Sequence, residues 1–321
     1  MKFSVIIPLY NKAPYVRKAL QSVVNQTNKD YEIIVVNDGS TDRSLSIACK
    51  TLNKQPNVKI LNQRNSGVST ARNHGFKAAE GDYICFLDAD DWWEPTFLDE
   101  MAQLISEYPD AGIYGTCYNI INEKKHKTRR ANNGLPADFE KGYINYCQLY
   151  ADTLNMPLWT GAVCIPHNLF KKLHGFKRHL KLGEDFDLWI RIAISHKVAY
   201  LNRPLSNYNQ DVDVTFRGTG HMHPPKNHFL WHMDYLQKEE VTNPDYKRLI
   251  DKLRVYDLMP YYISPRYHKR AKHELDKVDW AAQPEKVRKL YRTPLLLLWV
   301  RQRFLQVGAM GKQVLRWLHV I

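Results

Sequence analysis

Three carboxylates surround a single alanine in the run Asp88-Ala89-Asp90-Asp91, which directly follows the apolar residues 83–87. Carboxylates this close repel one another and raise each other's pKa unless a cation lies among them. Oxygen ligands suit Mg²⁺ or Mn²⁺, and such ions bind through one or two carboxylates together with substrate phosphates. The run therefore predicts a metal and phosphate site. The alternative is a solvated acidic turn that caps the following helix.

Two further acidic positions stand at the ends of predicted elements. Asp38 ends the apolar segment Tyr31–Val36 and has the chemistry to accept the N3–H of a uracil or thymine ring. An Asx turn or a helix cap is the commoner explanation of a single Asp. Glu184 and Asp185 begin a helical pattern after Gly183, where dipole capping is the common role of an acid. The other interpretation makes Asp185 a general base that deprotonates an acceptor hydroxyl.

The elements that must position these residues alternate between strand and helix over the first 115 residues. Apolar runs predict buried parallel strands, and the segments between them carry apolar residues at helical spacing. This alternation predicts an α/β fold with a mostly parallel sheet flanked by helices. Ligands bind beyond the carboxyl ends of such strands, where the acidic positions fall. The predicted strands are Phe3–Pro8, Tyr31–Val36, Val58–Leu61, Asp82–Leu87 and Ala111–Cys117.

Beyond residue 118 the alternation breaks down. The patterns there predict, in order, a hairpin or loop, a strand, a helix, an edge strand and a mobile loop at Lys124–Arg130, Leu158–Pro166, Gly183–Ser195, Val198–Leu201 and 206–228. From Tyr246 onward the pattern is helical and basic. We therefore expect a domain at 1–228, composed of a regular α/β half at 1–115 and a less regular half at 116–228, followed by a helical basic region at 229–321.

Five motifs, in this order, closely resemble family 2 inverting glycosyltransferases of the GT-A fold. They are Pro8-Leu9-Tyr10-Asn11, residues 35–42 around Asn37-Asp38-Gly39, residues 65–73 ending in Arg72-Asn73, Asp88-Ala89-Asp90-Asp91, and Glu184-Asp185. The resemblance covers residues 3–215, about two thirds of the chain. It implies that 1–228 is a catalytic domain, with a nucleotide-sugar-binding half at 1–115 and an acceptor half at 116–228. Each motif is short, and the specificity lies in the series.

The resemblance implies a donor pocket formed by Pro8, Tyr10, Asn11, Asp38, Arg72, Asp88 and Ala89. In this pocket Asp38 would bond the base and Arg72 would help to hold the nucleotide. Asp88 would contact the ribose or the donor sugar. Asp90 would ligate the Mn²⁺ or Mg²⁺ that bridges the two phosphates and acts as a Lewis acid. Asp185, beside Glu184, would be the catalytic base for a single in-line displacement that inverts the anomeric carbon.

Two departures from the family pattern concern the same site. The acid often found two residues after Tyr-Asn is replaced by Ala13, and the region after the base carries Tyr208-Asn209-Gln210-Asp211 in place of a basic, His-containing motif. His221 or His223 is a candidate to complete the metal shell or to hold a phosphate, since neutral imidazole is a usable ligand. The alternative is that both are loop histidines without a role.

Composition bounds the partners. The net charge is +13, and residues 246–321 hold 17 Lys and Arg against 6 Asp and Glu. Apolar residues recur at spacings of three and four over 295–321, which predicts a basic amphipathic helix that binds anionic lipid or packs on protein.

No apolar run reaches the ~20 residues that span a bilayer, and the N-terminus lacks a signal-peptide pattern. Five scattered cysteines argue against a disulfide framework or a zinc site. We expect a cytoplasmic protein, at the inner face of the membrane if the tail binds lipid.

The sequence therefore predicts a metal-dependent transferase that moves a sugar from a nucleoside diphosphate, with UDP favoured by Asp38, to a saccharide or lipid-linked acceptor. Surface polysaccharide or glycoconjugate assembly is the expected setting. The rival of a different class is an inert nucleotide-sugar-binding protein on the same fold, which needs neither Asp90 nor Asp185. A nucleotidyltransferase would want a Gly-rich loop after the first strand, and residues 9–14 contain no Gly. Nucleic acid is not an expected partner, because no aromatic and basic stacking platform accompanies the charge.

Overall fold

The computed structural model describes residues 1–211 and 222–300. Strand and helix alternate through the first part of the chain, as predicted. The elements are β1 (Phe3–Leu9), α1 (Val16–Val24), β2 (Tyr31–Asp38), α2 (Ser44–Leu52), β3 (Val58–Gln63), α3 (Val68–Lys77), β4 (Tyr83–Phe86), β5 (Trp92–Trp93), α4 (Phe97–Glu107) and β6 (Ala111–Asn122).

The second part of the chain completes the sheet and then becomes helical. Its sheet-forming section contains β7 (Lys127–Arg130), β8 (Lys141–Ile144), α5 (Tyr146–Thr153), β9 (Val163–Pro166), α6 (His167–Lys172), α7 (Glu184–Ser195) and β10 (Lys197–Asn209). The predicted helical region then contains α8 (Gln237–Thr242), α9 (Pro244–Asp257), α10 (Met259–Ile263), α11 (His268–Leu275) and α12 (Glu285–Arg292). Helices among the described residues are all too short or too polar to cross a membrane.

One mixed sheet runs through the molecule in the order β3-β2-β1-β4-β9-β6-β10-β5, with β7 paired to β6 and β8 paired to β10. The strands β1, β2, β3 and β4 are parallel, whereas β9 is antiparallel to both of its neighbours, β4 and β6. The carboxyl ends of β1, β2 and β4 therefore meet at one edge of the sheet. The predicted α/β class, a mostly parallel sheet flanked by helices with a helical C-terminal region, is confirmed.

Alternation along β1 explains why helices cover both faces of the sheet. Successive side chains of a strand point to opposite faces. Phe3, Val5 and Ile7 enter one apolar core, and Ile6 enters the core on the other face. All four side chains are fully buried, so this strand needs cover on both sides, as a central parallel strand does.

Two predictions for the second part of the chain are wrong. Val198–Leu201 was expected to be an edge strand, but β10 is longer and pairs with β6 on one side and with β5 and β8 on the other. The segment 206–228 was expected to be a loop, yet its first residues, up to Asn209, belong to β10. After the undescribed residues 212–221, the turns at Pro225–Asn227 and Phe229–His232 are short 3₁₀ helices.

The cysteines also differ from expectation. Cys85 on β4 and Cys164 on β9 face each other in the antiparallel register, with Cα atoms 4.7 Å apart, and form a disulfide. The scattered spacing, which argued against disulfides, gave no hint of this bridge because its partners are 79 residues apart. Strand pairing rather than sequence proximity brings the two thiols together.

Candidate functional site

The loop after β1 lies against the loop after β2. Asn11 has a left-handed backbone with φ of 50°, a conformation that Asn tolerates better than most residues. Its Oδ1 accepts a hydrogen bond from the backbone N–H of Thr41 at 2.8 Å, and the N–H of Lys12 donates to Ser44 Oγ at 2.7 Å. These contacts fix the reversal of the chain at the edge of the sheet, and they leave Tyr10 exposed there.

Asp38, at the end of β2, is buried and holds the turn before α3. Its Oδ1 accepts from Gln63 Nε2 at 2.7 Å and from the N–H of Ser66 at 2.8 Å, and its Oδ2 accepts from the N–H of Gly67 at 2.9 Å. An ionised carboxylate has about four acceptor positions, so these three bonds leave capacity for one more donor. The structural role anticipated as an alternative is therefore present, and it is compatible with a contact to a base.

The three carboxylates after β4 have three different partners. Asp88 accepts from Arg72 at 2.8 Å, and Asp90 pairs with Lys12, whose Nζ lies 2.6 Å from Oδ2. Asp91 is buried and accepts from the N–H of Asn209 at 2.9 Å and from the indole N–H of Trp159 at 3.3 Å. The run is thus held by ion pairs and hydrogen bonds and is not a freely solvated turn, with the side chains of Asp88 and Asp90 25% and 17% exposed.

Burial raises the pKa of Asp91 well above the ordinary value, and the charges of Asp90 and Asp88 raise it further. Burial also raises the pKa of Asp90, which Lys12 opposes and Asp88 reinforces. Negative charge is therefore concentrated in a weakly hydrated place, and an added cation would stabilise it. The donor set consists of hard carboxylate oxygens, which fits Mg²⁺ or Mn²⁺. Within residues 1–211 and 222–300, no cluster of three or more His, Cys, Asp or Glu is arranged to enclose a metal by itself.

The acidic pair at the start of α7 is partly buried, and the Glu184 side chain is 15% exposed. Gly183 precedes it with φ of 75°, and a Cβ at this position would collide with the ring of Phe229, so glycine is required both by conformation and by space. Burial and the charge of Asp185 raise the pKa of Glu184 to about 7. Burial likewise raises the pKa of Asp185, while hydrogen bonds, including one from the hydroxyl of Thr160 at 3.3 Å, lower it. A carboxylate with a raised pKa is the stronger general base.

Arg72 joins the two acidic groups. It extends from α3, its side chain is 4% exposed, and it donates to Asp88 at 2.8 Å and to Glu184 at 3.2 Å. Asp88 at the end of β4 and the acidic pair of α7, which are 96 residues or more apart in sequence, therefore belong to one cluster. This cluster, consisting of Arg72, Asp88, Glu184 and Asp185, is called the Arg72 cluster below.

An aromatic surface adjoins the Arg72 cluster. The rings of Trp159 and Tyr208 have centroids 4.4 Å apart, and those of Tyr118 and Trp159 are 5.8 Å apart. All three side chains are partly exposed. Trp159 bonds Asp91 through its indole N–H and precedes Thr160, which bonds Asp185, so it lies between the two groups of acids.

Of the two candidate histidines, the structure describes only His223, because His221 lies outside the described residues. His223 is buried, and its backbone carbonyl accepts a hydrogen bond from the hydroxyl of Tyr261 on α10. Of the other candidates, Arg72 lies on α3, and the rest, Pro8 and Ala89 included, lie at the ends of β1, β2 and β4 or at the start of α7.

Sequence reasoning missed Lys12, Trp159 and Thr160. A signal existed for Lys12, because it directly follows the Tyr-Asn motif at a predicted strand end. Trp159 and Thr160 lie in a segment predicted only as a strand, and no spacing rule relates them to Asp91 or Asp185. Their contacts become visible only when β9 is inserted between β4 and β6.

Solved structures with the same architecture identify the fold. TarS of Staphylococcus aureus in complex with UDP matches with a TM-score of 0.67 over 89% of this chain and 82% of the TarS chain, at 20% identity. TarS in complex with UDP-GlcNAc matches with a TM-score of 0.61 over 91% of this chain and 92% of that chain, at 19% identity. The fold is that of a GT-A glycosyltransferase.

Sequence comparison narrows the class to a family. Residues 4–170 match the family described as Glycosyl transferase family 2, and the chain belongs to that family. Glycosyltransferase GlyA of Streptococcus pneumoniae is 36% identical over 216 residues, which are 64% of this chain and 30% of GlyA. An uncharacterized glycosyltransferase of Rickettsia typhi is 33% identical over 189 residues, 59% of this chain and 57% of that protein. The chain thus spans about a third to just over half of these relatives.

Proposed function

We propose that the protein is a metal-dependent inverting glycosyltransferase that takes a hexosyl or N-acetylhexosaminyl group from a UDP-sugar. The observation that carries the proposal is the Arg72 cluster, in which one buried guanidinium lies between Asp88 on the donor side and Glu184, the neighbour of Asp185. A protein that only bound a nucleotide-sugar would not need a partly buried carboxylate of raised pKa across from its donor acids.

Asp185 acts as the base in this proposal. Its carboxylate takes the proton of an acceptor hydroxyl, the hydroxyl oxygen forms a bond to the anomeric carbon, and the bond from that carbon to the diphosphate breaks on the opposite side. The displaced nucleoside diphosphate leaves with the electron pair of that bond. Mn²⁺ or Mg²⁺ held by Asp90, with Asp88 close by, would supply charge neutralisation for the diphosphate. Burial of Asp185 keeps its pKa raised and so favours proton transfer.

Three observations support UDP as the nucleotide. Asp38 retains one acceptor position for a base N–H, the exposed Tyr10 lies at the same edge of the sheet, and the TarS structures of the same fold contain UDP and UDP-GlcNAc. Asn11 and Arg72 also lie at this edge of the sheet, where the nucleotide is proposed to bind. Donor binding is therefore assigned to the ends of β1, β2 and β4.

We propose a saccharide or lipid-linked saccharide as the acceptor, in the assembly of a surface polysaccharide or glycoconjugate. Support comes from the aromatic surface of Tyr118, Trp159 and Tyr208, because flat apolar faces pack against sugar rings beside the base. A second support concerns the start of the basic tail, where Leu296 is 70% exposed and Leu297 is 57% exposed. Such exposed apolar residues next to a basic segment suit the surface of an anionic membrane.

Calorimetric titration of UDP tests the donor site. We expect binding that requires Mn²⁺, disappears with EDTA and disappears in Asp90→Ala. Asp185→Asn is the matched control, because it should bind UDP like the wild type and release no UDP from a UDP-sugar. Absence of binding of UDP, GDP and dTDP under every condition would contradict the proposal. Tight binding with no turnover of any UDP-sugar, hydrolysis included, would favour the inert binding protein.

A further inference from the structure

Lys12 forms an ion pair with Asp90, the residue proposed to bind the metal. Its Nζ lies 2.6 Å from Asp90 Oδ2, and both side chains are only 17% exposed. The partners are 78 residues apart in sequence and come from the ends of two neighbouring parallel strands, β1 and β4. A charge pair with so little exposure is weakly screened by water and salt, unlike an ordinary surface ion pair.

The backbone holds Lys12 in this place. The left-handed conformation of Asn11 turns the chain, Asn11 Oδ1 is bonded to the N–H of Thr41, and the N–H of Lys12 is bonded to Ser44 Oγ. On the other side of Lys12, the N–H of Ala13 donates to Asp42 Oδ2 at 3.1 Å, so the segment 41–44 anchors the backbone on both sides of the Lys12 Cα. Its long side chain remains the only part that must move for Nζ to reach a different anion nearby.

We propose that Lys12 is an exchangeable counter-cation, which pairs with Asp90 in the absence of donor and passes to the donor diphosphate when a divalent ion takes Asp90. The inference rests on the proposed function, because it assumes a nucleoside diphosphate and a metal at this edge. Its consequence is that the metal binds well only together with the nucleotide.

Charge balance explains the coupling. A divalent ion that arrives alone must displace Lys12 from a partly buried carboxylate and leave the ammonium beside a second positive charge. With the nucleotide present, the diphosphate supplies oxygen ligands to the ion and a new anionic partner to Lys12. The nucleotide therefore raises the affinity for the metal, and by linkage the metal raises the affinity for the nucleotide by the same factor.

The test measures Mn²⁺ binding by the loss of the free-ion electron paramagnetic resonance signal, with and without UDP. In Lys12→Met without UDP, we expect Mn²⁺ to bind about 10-fold more tightly than in the wild type, within the usual range of coupling. In the same variant, UDP should raise the Mn²⁺ affinity by a smaller factor than in the wild type. Lys12→Arg, which keeps a cation, should behave like the wild type.

Lys18→Met is the matched control, because Lys18 also pairs with an acid, Glu123, but lies on the exposed side of α1. It should leave both affinities unchanged. Equal Mn²⁺ affinities of Lys12→Met and wild type without UDP would overturn the inference, provided that thermal unfolding shows the variant to be folded. Lys12→Ala serves as the second variant if Lys12→Met does not fold. Failure of all variants to bind UDP would instead contradict the proposed function, and the UDP-free measurement still decides the role of Lys12.

Discussion

Two buried arginines organise two regions of the molecule in opposite ways. Arg72, at the candidate site, is one cation among the acids Asp88, Glu184 and Asp185. Arg254, on α9 of the helical region, is 1% exposed and donates to both oxygens of Glu240 at 2.6 and 2.7 Å. The acids around Arg254 are shared with further cations: Asp251 with Lys247, and Glu274 with Lys277.

The difference is one of charge balance. Around Arg254, every buried acid has a nearby lysine or arginine, and the cluster joins helices α8, α9 and α11. Around Arg72, acids outnumber the cation, and burial with the neighbouring charge raises the pKa of Glu184 to about 7. A balanced cluster serves the fold, whereas an unbalanced one is prepared for protons and cationic ligands.

The largest expected effect comes from Asp185→Asn in the Arg72 cluster. Removal of the base should lower the rate of sugar transfer about 10²- to 10⁴-fold. Because burial disfavours the charged form of Asp185, the neutral amide should not lower the thermal stability. Product release and thermal unfolding are measured on the same preparations. Near-normal turnover by this variant would remove Asp185 from the mechanism.

In the balanced cluster around Arg254, Arg254→Met should lower the stability of the protein and leave UDP binding intact. It leaves three buried acids with too little positive charge, which costs about 3–5 kcal/mol of unfolding free energy. Affinity for UDP should stay within about 2-fold, because the change lies outside the donor edge. Denaturant unfolding and calorimetry check the two halves of the statement. A large loss of UDP affinity at a temperature where the variant is folded would show that the two clusters are coupled.

Glu184→Gln tests whether the excess of acids around Arg72 raises the pKa of Glu184, through the pH dependence of the unfolding free energy. The folded-state pKa of Glu184 is about 7, above its ordinary value of 4.5, so the unfolded chain releases this proton first as pH rises. Wild-type stability should therefore fall between pH 4.5 and 7, and the variant should lack that part of the slope. We expect the stability of the variant relative to wild type to rise by about 1–3 kcal/mol from pH 4.5 to pH 8. A pH-independent difference would contradict the raised pKa.

Thr160→Val is expected to have the smallest effect. The hydroxyl of Thr160 donates to Asp185 and lowers its pKa, so its removal should let the base keep its proton to higher pH. The acidic limb of the profile of kcat/KM against pH should therefore move to higher pH. Thr153→Val is a suitable control, because that hydroxyl bonds the carbonyl of Leu149 on α5. A limb that stays in place would mean that another group sets it.

Local patterns were sufficient to predict which strands end at the edge where donor binding is proposed. Apolar runs and the acids that end them located β1, β2 and β4, and parallel pairing brought Asn11, Asp38 and Asp88 to one edge as expected. The start of α7 was predicted because Gly183 and two acids precede an apolar periodic segment. These features depend on short stretches of chain, which is why the sequence alone reveals them.

The rest depends on pairings between distant segments. The prediction ended the last strand at Leu201, but β10 continues through irregular pairing at Pro204 to Asn209. Separation in sequence also prevented the prediction of two contacts. These are the bond between Trp159 and Asp91, 68 residues apart, and the pair of Lys12 with Asp90. No periodicity encodes such contacts, because they are fixed by which strand lies beside which.

The position of β9 has a consequence for how the chain can be divided. Residues 163–166 form a strand that lies between β4 and β6 and hydrogen-bonds to both. A fragment that ended before it would leave two unpaired strand edges in the middle of the sheet. The segments 1–115 and 116–228 are therefore parts of one sheet, and we expect neither to be exchangeable as a separate module.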